Sequence, residues 1–347
     1  MKKIISLVLV FVLIFVLLTS CGEEKAVLKV YNAGEYIDKA LITDFEKEYN
    51  CRIIYDTFDS NESMYTKLCS GEEYDVLVPS DYMIERLIKE DFLQPVDKAL
   101  IPNVNTLLKS VAENDSYDEG HAYSVPYFWG SVGILYDKTK VTEEDLSQGW
   151  ELLRNEKFKN DVYMYDSERD SFMIALKALG YSMNTKDTSE LDQAYNWLVE
   201  QRTLVNPVYV GDDVIDSMIS GNKALAVVYS GDAAYIMTEN EDMGYYEPED
   251  GTNVWYDAMV IMKNCQNVDL AHKFINYMVD EENAYINSEE VGYSSPVEDA
   301  YIKLKDGIFK GINAYTPLLR EKDEVFRYQS PEIKQYSAEL WIKVKSN

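Results

Sequence analysis

The chain is poor in the side chains that usually carry chemistry. Its 347 residues include two histidines, His121 and His272, and four cysteines. Neither histidine has a second one at metal-ligand spacing. There is no Gly-x-Ser-x-Gly elbow, phosphate loop or dinucleotide fingerprint. His272 precedes Phe274 and Ile275 in a helical pattern and is expected on the solvent side of that helix. His121 falls in a loop rich in Asp, Glu and Gly. Apart from Cys21, the cysteines are Cys51, Cys69 and Cys265, an odd number that closes no disulfide framework. One pair with a free thiol, or three thiols, both fit. Cations are also scarce, with 33 Lys and Arg against 61 Asp and Glu. Such a surface repels nucleic acid and anionic lipid and favours cationic partners. After residue 18 no apolar run is long enough to span a membrane. No internal repeat and no Pro/Gly-rich tether divides the chain.

The N-terminus is informative. Met1-Lys2-Lys3 leads an apolar run from Ile4 to Leu18, broken only by Ser6, and Thr19-Ser20-Cys21 follows. A basic start, a short apolar stretch and small residues at a cut site make a secretory signal over residues 1–20. Leu18–Cys21 resembles the bacterial lipoprotein signal, in which the cysteine receives a lipid. The mature protein is therefore expected outside the cytoplasm, lipid-anchored at Cys21 to the cell membrane or its periplasmic face, with no other membrane contact.

Aromatics are plentiful: 28 Tyr, 11 Phe and 5 Trp. Aromatic faces attract cations, so acid and aromatic excess together suit a cleft that binds a polycation. The chain is longer than the roughly 250–300 residues at which single cores stop growing, so two lobes are expected. Val27–Tyr31, Arg52–Phe58 and Tyr74–Val78 read as strands. Helical patterns lie between them, one opened by a capping box from Asp59 to Glu62. Ser131–Tyr136, Val162–Tyr165, Ala224–Tyr229 and Ala258–Met262 repeat the strand signal, with helices at Phe172–Leu179, Leu191–Val199 and Leu270–Val279. This order predicts an α/β fold with a mostly parallel sheet covered on both faces.

Ligands of such sheets bind outside the carboxyl ends of the strands. Those ends read Asn32–Tyr36, Pro79–Tyr82, Asp166–Asp170 and Tyr229–Asp232, with Trp255–Asp257 beside the last strand. Nearly all combine an aromatic with a carboxylate. A loop Asp is more often a cap or turn former, but five ends share the pattern. A carboxylate pair such as Asp166 and Asp170 would also suit a glycosidase, the enzymatic alternative.

Several stretches resemble the extracytoplasmic spermidine/putrescine-binding proteins of polyamine ABC importers. They are Tyr31-Asn32-Ala33-Gly34-Glu35-Tyr36, Ser60–Leu68, Tyr74–Ser80, Pro126-Tyr127-Phe128-Trp129-Gly130, Leu179–Thr185, Trp255-Tyr256-Asp257 and Gly292–Pro296. They run in family order along the mature chain. The resemblance implies a two-lobed, periplasmic-binding-protein-like fold of type II, with a hinge and the ligand cleft at the interface. Lobe 1 would take residues 26–130 and 256–302, and lobe 2 residues 131–255 and 303–347. It implies a monomer that is not an enzyme, with no catalytic residue, cofactor or metal. It would bind a polyamine and hand it to the permease subunits of an ABC transporter. Another small cationic solute is the alternative within the fold.

The resemblance also implies ligand contacts at Glu35, Tyr36, Ser80, Tyr82, Asp170, Trp255, Asp257 and Tyr293. Departures fall at Ala33 and Gly34, where the family carries Trp and often Thr. Tyr229 replaces a second Trp, and Ser167 replaces an acid. The family glutamine falls near Arg327, with Gln329 as the other match. Asp81 is an added carboxylate, expected to replace the one lost at Ser167.

Overall fold

The computed structural model describes residues 25–211 and 213–346. Cys21 and the signal segment lie outside the described residues. Ten strands form a mixed sheet: β1 Val27–Ala33, β2 Arg52–Phe58, β3 Val76–Leu77, β4 Leu93–Gln94, β5 Ser124–Asp137, β6 Val162–Tyr165, β7 Val208–Val210, β8 Leu225–Tyr229, β9 Met243–Tyr246 and β10 Val254–Met262. The longer helices are α1 Lys39–Glu48, α2 Asn61–Cys69, α3 Asp81–Lys89, α4 Glu168–Ala178, α5 Thr188–Val205, α6 Ser230–Glu239, α7 Val268–Met278, α8 Glu281–Val291, α9 Glu298–Asp306 and α10 Pro331–Ser346.

The strand order is β2-β1-β3-β10-β5-β8-β6-β7, with β4 on β10 and β9 on β5. The sheet is parallel at its two ends, where β1 pairs with β2 and β3, and β6 with β7 and β8. The middle is antiparallel. β5 pairs over Ser124–Ser131 with β10, then over Val132–Tyr136 with β8. The mostly parallel expectation is therefore corrected. β5 runs through both halves of the sheet, and β10 lies antiparallel beside its first half. The short-strand reading of Ser131–Tyr136 caught only the second half of β5.

Period-two alternation buries both faces of the strands. On β10, Met259 and Ile261 face one core, while Tyr256, Ala258, Val260 and Met262 face another. Phe45 of α1 meets Phe274 of α7 edge-on at 5.3 Å over the first face. Met64 and Leu68 of α2 and Met83, Ile84 and Leu87 of α3 cover the second. Each such fully buried side chain contributes about 1.5–3 kcal/mol. In the other half Trp150, Met173 and Trp197 pack on one face, and Met218, Ala233 and Ile236 on the other.

Local signals differ from the sequence reading in two places. The cap of α2 is Ser60, whose box partner is Ser63, one residue beyond the Asp59–Glu62 pair. His272 is buried, not on the solvent side of α7. Its Nε2 accepts from the Asp97 amide at 2.9 Å and its Nδ1 lies 2.8 Å from the Val268 carbonyl, so the ring links α7 to the 97–101 turn within the core. Cys51, Cys69 and Cys265 are free thiols.

Candidate ligand-binding cleft

The carboxyl ends of β1 and β3 in one half and of β6 and β8 in the other converge where β5 passes between the halves. Gly130 and Ser131 mark that point. Gly130 stands opposite Trp255 of β10, and Val132 opposite Tyr229 of β8. The Ser131 amide donates to Ser230 Oγ at 3.1 Å. A Cβ on Gly130 would lie 2.4 Å from the Trp255 ring and 2.5 Å from Ser230 Oγ, so only glycine allows this approach.

Around this point three aspartates each receive a phenol. Tyr36 Oη donates to Asp257 at 2.6 Å, Tyr229 Oη to Asp170 at 2.8 Å, and Tyr293 Oη to Asp232 at 2.8 Å. The rings form a continuous chain. Tyr36 meets Tyr293 at 5.5 Å, Tyr293 meets Trp255 at 5.3 Å, Trp255 meets Tyr229 at 6.2 Å, and Tyr229 meets Tyr165 at 4.9 Å. Most of these contacts are edge-on, the arrangement aromatic quadrupoles prefer. Gly231 lets Tyr293 lie against α6, because a Cβ there would sit 2.2 Å from that ring.

Each member is held from behind. Tyr36 is fixed through its carbonyl, which accepts from Tyr127 Oη at 2.6 Å and Asn32 Nδ2 at 3.3 Å, and Asn287 in turn donates to Tyr127 Oη. Asp257 sits at a β-bulge and bridges to Ser80. Asp170 lies in the first turn of α4, capped by Ser167, whose Oγ accepts the Asp170 amide at 3.3 Å.

Burial pushes the Asp170 carboxyl above its ordinary range, with Ser167, Tyr229 and the charge of Arg169 pulling it back. Asp257 is raised in the same way, opposed by Tyr36 and Ser80. Among the described residues neither lies within ion-pair distance of a Lys or Arg. Two desolvated carboxylates with phenol donors and no cation in contact, Arg169 acting on Asp170 only at longer range, form a site that favours a positive ligand.

The candidate residues divide by position. Tyr36, Ser80 and Asp257 come together on one side, Ser167, Asp170 and Tyr229 on the other, with Trp255 and Tyr293 between. Tyr82 stands apart under a protein cation: the Arg169 guanidinium lies 3.8 Å above its ring. Asp81 is 1 % exposed, and its two oxygens accept the Tyr82 and Tyr256 amides at 2.6 and 3.1 Å. Burial pushes it up to about 8 against those amides. It ties α3 to β10. Glu35 is not brought to the cluster. It has φ +47°, and its side chain is 91 % exposed and 3.7 Å from Lys39. Arg327 forks onto Glu85 at 3.0 and 3.1 Å, and its charge is met there. Asp166 is half-exposed and pairs with Lys345 at 2.7 Å, whereas Asp170 is buried and bonded to Tyr229. Asp232 was outside the candidate set, although its strand end, Tyr229–Asp232, carries the same acid-and-aromatic pattern as the others.

The sequence profile of the bacterial extracellular solute-binding proteins matches residues 40–307. The spermidine/putrescine-binding periplasmic protein of Salmonella typhimurium is 31% identical over 277 residues, 79% of this chain and 79% of its own. The spermidine/putrescine ABC transporter substrate-binding protein PotD of Streptococcus pneumoniae superposes with a TM-score of 0.81 at 35% identity, over 93% of this chain and 99% of that one. The TpPotD lipoprotein of Treponema pallidum superposes with a TM-score of 0.80 at 27% identity, over 92% and 100%. With this fold and these relatives, the chain belongs to the bacterial extracellular solute-binding proteins.

Proposed function

We propose that the protein binds a linear polyamine, spermidine or putrescine, between two lobes and delivers it to an ABC permease. The observation that carries this reading is the pairing of Tyr36 with Asp257 and Tyr229 with Asp170, joined by an unbroken run of aromatic rings. A polyamine is a chain of ammonium groups separated by methylenes. Carboxylates at intervals meet the ammoniums, and ring faces cover the methylenes and attract the charge. The relatives named above, described as binding spermidine and putrescine, support the same ligand class.

Asp257, Asp170 and Asp232 are the acids, each oriented by its tyrosine, and Trp255, Tyr229 and Tyr293 are the walls. Ser80 and Ser167 position the acids, and Asp81 and Tyr82 act from behind. Lobe 1 comprises residues 26–130 and 256–302, lobe 2 residues 131–255 and 303–347. β5 supplies one crossing, and the ligand draws the lobes together by hinge motion. The protein works as a monomer anchored through a lipid on Cys21, a reading that the TpPotD lipoprotein supports.

Thermal unfolding in the presence of putrescine, cadaverine, spermidine, spermine and a neutral sugar tests the proposal. A true ligand at 100 times its dissociation constant stabilises by about 2.7 kcal/mol. Stabilisation by the sugar and by no amine would refute it.

A further inference from the structure

Ion pairs outside the ring-and-acid chain cross from one half of the molecule to the other. Glu62 on α2 receives Lys334 Nζ of α10 at 3.1 Å and lies 3.9 Å from Arg169 of α4. Arg169 is sandwiched: its guanidinium is 3.8 Å from the Tyr82 ring and 5.2 Å from Phe326, and Tyr82 Oη donates to Glu62 at 3.3 Å. Glu85 on α3 receives the Arg327 fork and the Tyr328 amide at 2.8 Å. A groove of about 300 Å³ runs beside this second contact, lined by Glu85, Lys89, Lys186 and Arg327 among others.

Both acids belong to helices that pack over β1, β3 and β10. Lys334, Arg169 and Arg327 belong to the opposite half, whereas Lys89 shares α3 with Glu85 and pairs with it at 2.7 Å. α10 packs on α5 and α4. The 324–328 segment is bound to that half by Glu324, which pairs with Lys177 at 2.6 Å and accepts from Ser182. Asn184 adds bonds to Val325 and Arg327. Burial pushes Glu85 up, but Arg327, Lys89 and the Tyr328 amide outweigh it and hold the carboxyl down at about 2. Lys334 and Arg169 likewise outweigh burial at Glu62. Both acids stay charged at neutral pH, and their pairs with Lys334, Arg169 and Arg327 need the two halves close together.

We infer that Glu62 and Glu85 are positioning residues for ligand capture. They latch the two halves through Lys334, Arg169 and Arg327, and so favour the closed arrangement whether or not a ligand is present. The inference rests on the polyamine reading for its effect on affinity, but not for its effect on shape. Closing a partly exposed ion pair is individually weak, and it acts here on an equilibrium between two shapes. The latch therefore sets how long a ligand stays more than how fast it arrives.

The test uses Glu62→Gln, Glu85→Gln, Lys334→Gln and the pair Glu62→Gln/Lys334→Gln. Small-angle scattering of the ligand-free protein at low salt should give a larger radius for Glu62→Gln and Glu85→Gln than for wild type, with the difference gone in 1 M salt. Putrescine and spermidine should leave each single variant about two- to fivefold faster, the size expected of one such pair. The double variant should be no worse than Glu62→Gln alone. Unfolding of the ligand-free variants reports any general damage. Equal radii at low salt would overturn the latch, as would losses that simply multiply in the double variant. Failure of wild type to bind any amine would overturn the polyamine reading instead, and the scattering result would still decide the latch.

Discussion

Tyr36 and Asp257 are 221 positions apart in the chain and 2.6 Å apart in space. One closes the loop after β1 and the other sits at the bulge of β10, so their bond forms only when β10 has returned to pair beside β3. It gives a desolvated carboxylate a neutral donor and leaves its charge unmatched. Removing the donor leaves that carboxylate with one fewer partner, at a cost of about 1–3 kcal/mol. Tyr36→Phe is thus expected to weaken polyamine binding about tenfold without disturbing the fold. Affinity measured beside the near-ultraviolet spectrum of the ligand-free variant checks both halves of this expectation.

Proton release should accompany binding. Burial raises the Asp170 and Asp257 carboxyls, with their hydroxyl partners pulling them back, and a bound ammonium would hold both ionised. Affinity should therefore fall as pH drops through the raised values, because the free site then has to lose protons to bind. Calorimetry in two buffers of different ionisation enthalpy reads the protons directly, and proton uptake on binding would contradict the scheme.

Asp81 gives a separate stability signature in the ligand-free protein. Its carboxyl is raised from 3.8 to about 8, chiefly by burial against the Tyr256 and Tyr82 amides. A raised carboxyl contributes stability that is complete below its unfolded value and is lost as pH rises through its folded value. The difference in urea stability between wild type and Asp81→Asn should accordingly slope between about pH 4 and pH 8 and flatten outside it. A flat difference across that range would mean Asp81 is ionised throughout.

Gly231→Ala separates packing at the cleft from helix stability. Gly231 is in the first turn of α6, where alanine is intrinsically the better helix former by about 1 kcal/mol. Yet its Cβ would meet the Tyr293 ring at 2.2 Å and push that ring off Asp232. The overpacking, at about 1–3 kcal/mol, outweighs the helix gain, so the variant should unfold somewhat more easily than wild type without ligand and bind polyamine at least tenfold more weakly. Thermal scans with and without ligand distinguish the two effects.

Much of the fold was legible because strand and helix periods are local. Arg52–Phe58 and Val162–Tyr165 match β2 and β6 residue for residue. β5 was read only over Ser131–Tyr136, yet it starts at Ser124, with Pro126 inside the strand and Gly130 required by the Trp255 ring. Trp255–Asp257 read as flanking the last strand, but they lie within β10, where the bulge turns Asp257 toward Tyr36. Residue types at the cleft could be read from the strand ends, but their partners could not. Nothing near Asp170 in sequence announces Tyr229, and nothing near Tyr82 announces that Arg169 covers its ring. Asp81 and Glu35 carry the same chemistry as Asp257 in a sequence. Burial under backbone amides in one case, and a turn facing solvent in the other, separate them.

The anchor is tested by intact mass. Cys21→Ser should block cleavage at that position and release or misplace the protein, and a mature wild-type protein without lipid on residue 21 would rule out the anchor.

Calorimetric titration of wild type, Asp170→Asn and Asp257→Asn with a diamine and with the monoamine of equal carbon count tests the proposed charge pairing most directly. Breaking a buried pair by removing one partner costs roughly 3–5 kcal/mol, so each variant should bind the diamine about 10²- to 10³-fold more weakly. Wild type should strongly prefer the diamine to the monoamine. Unchanged diamine affinity in both variants, or equal affinity of wild type for the two amines, would contradict the pairing of Asp170 and Asp257 with ligand ammonium groups.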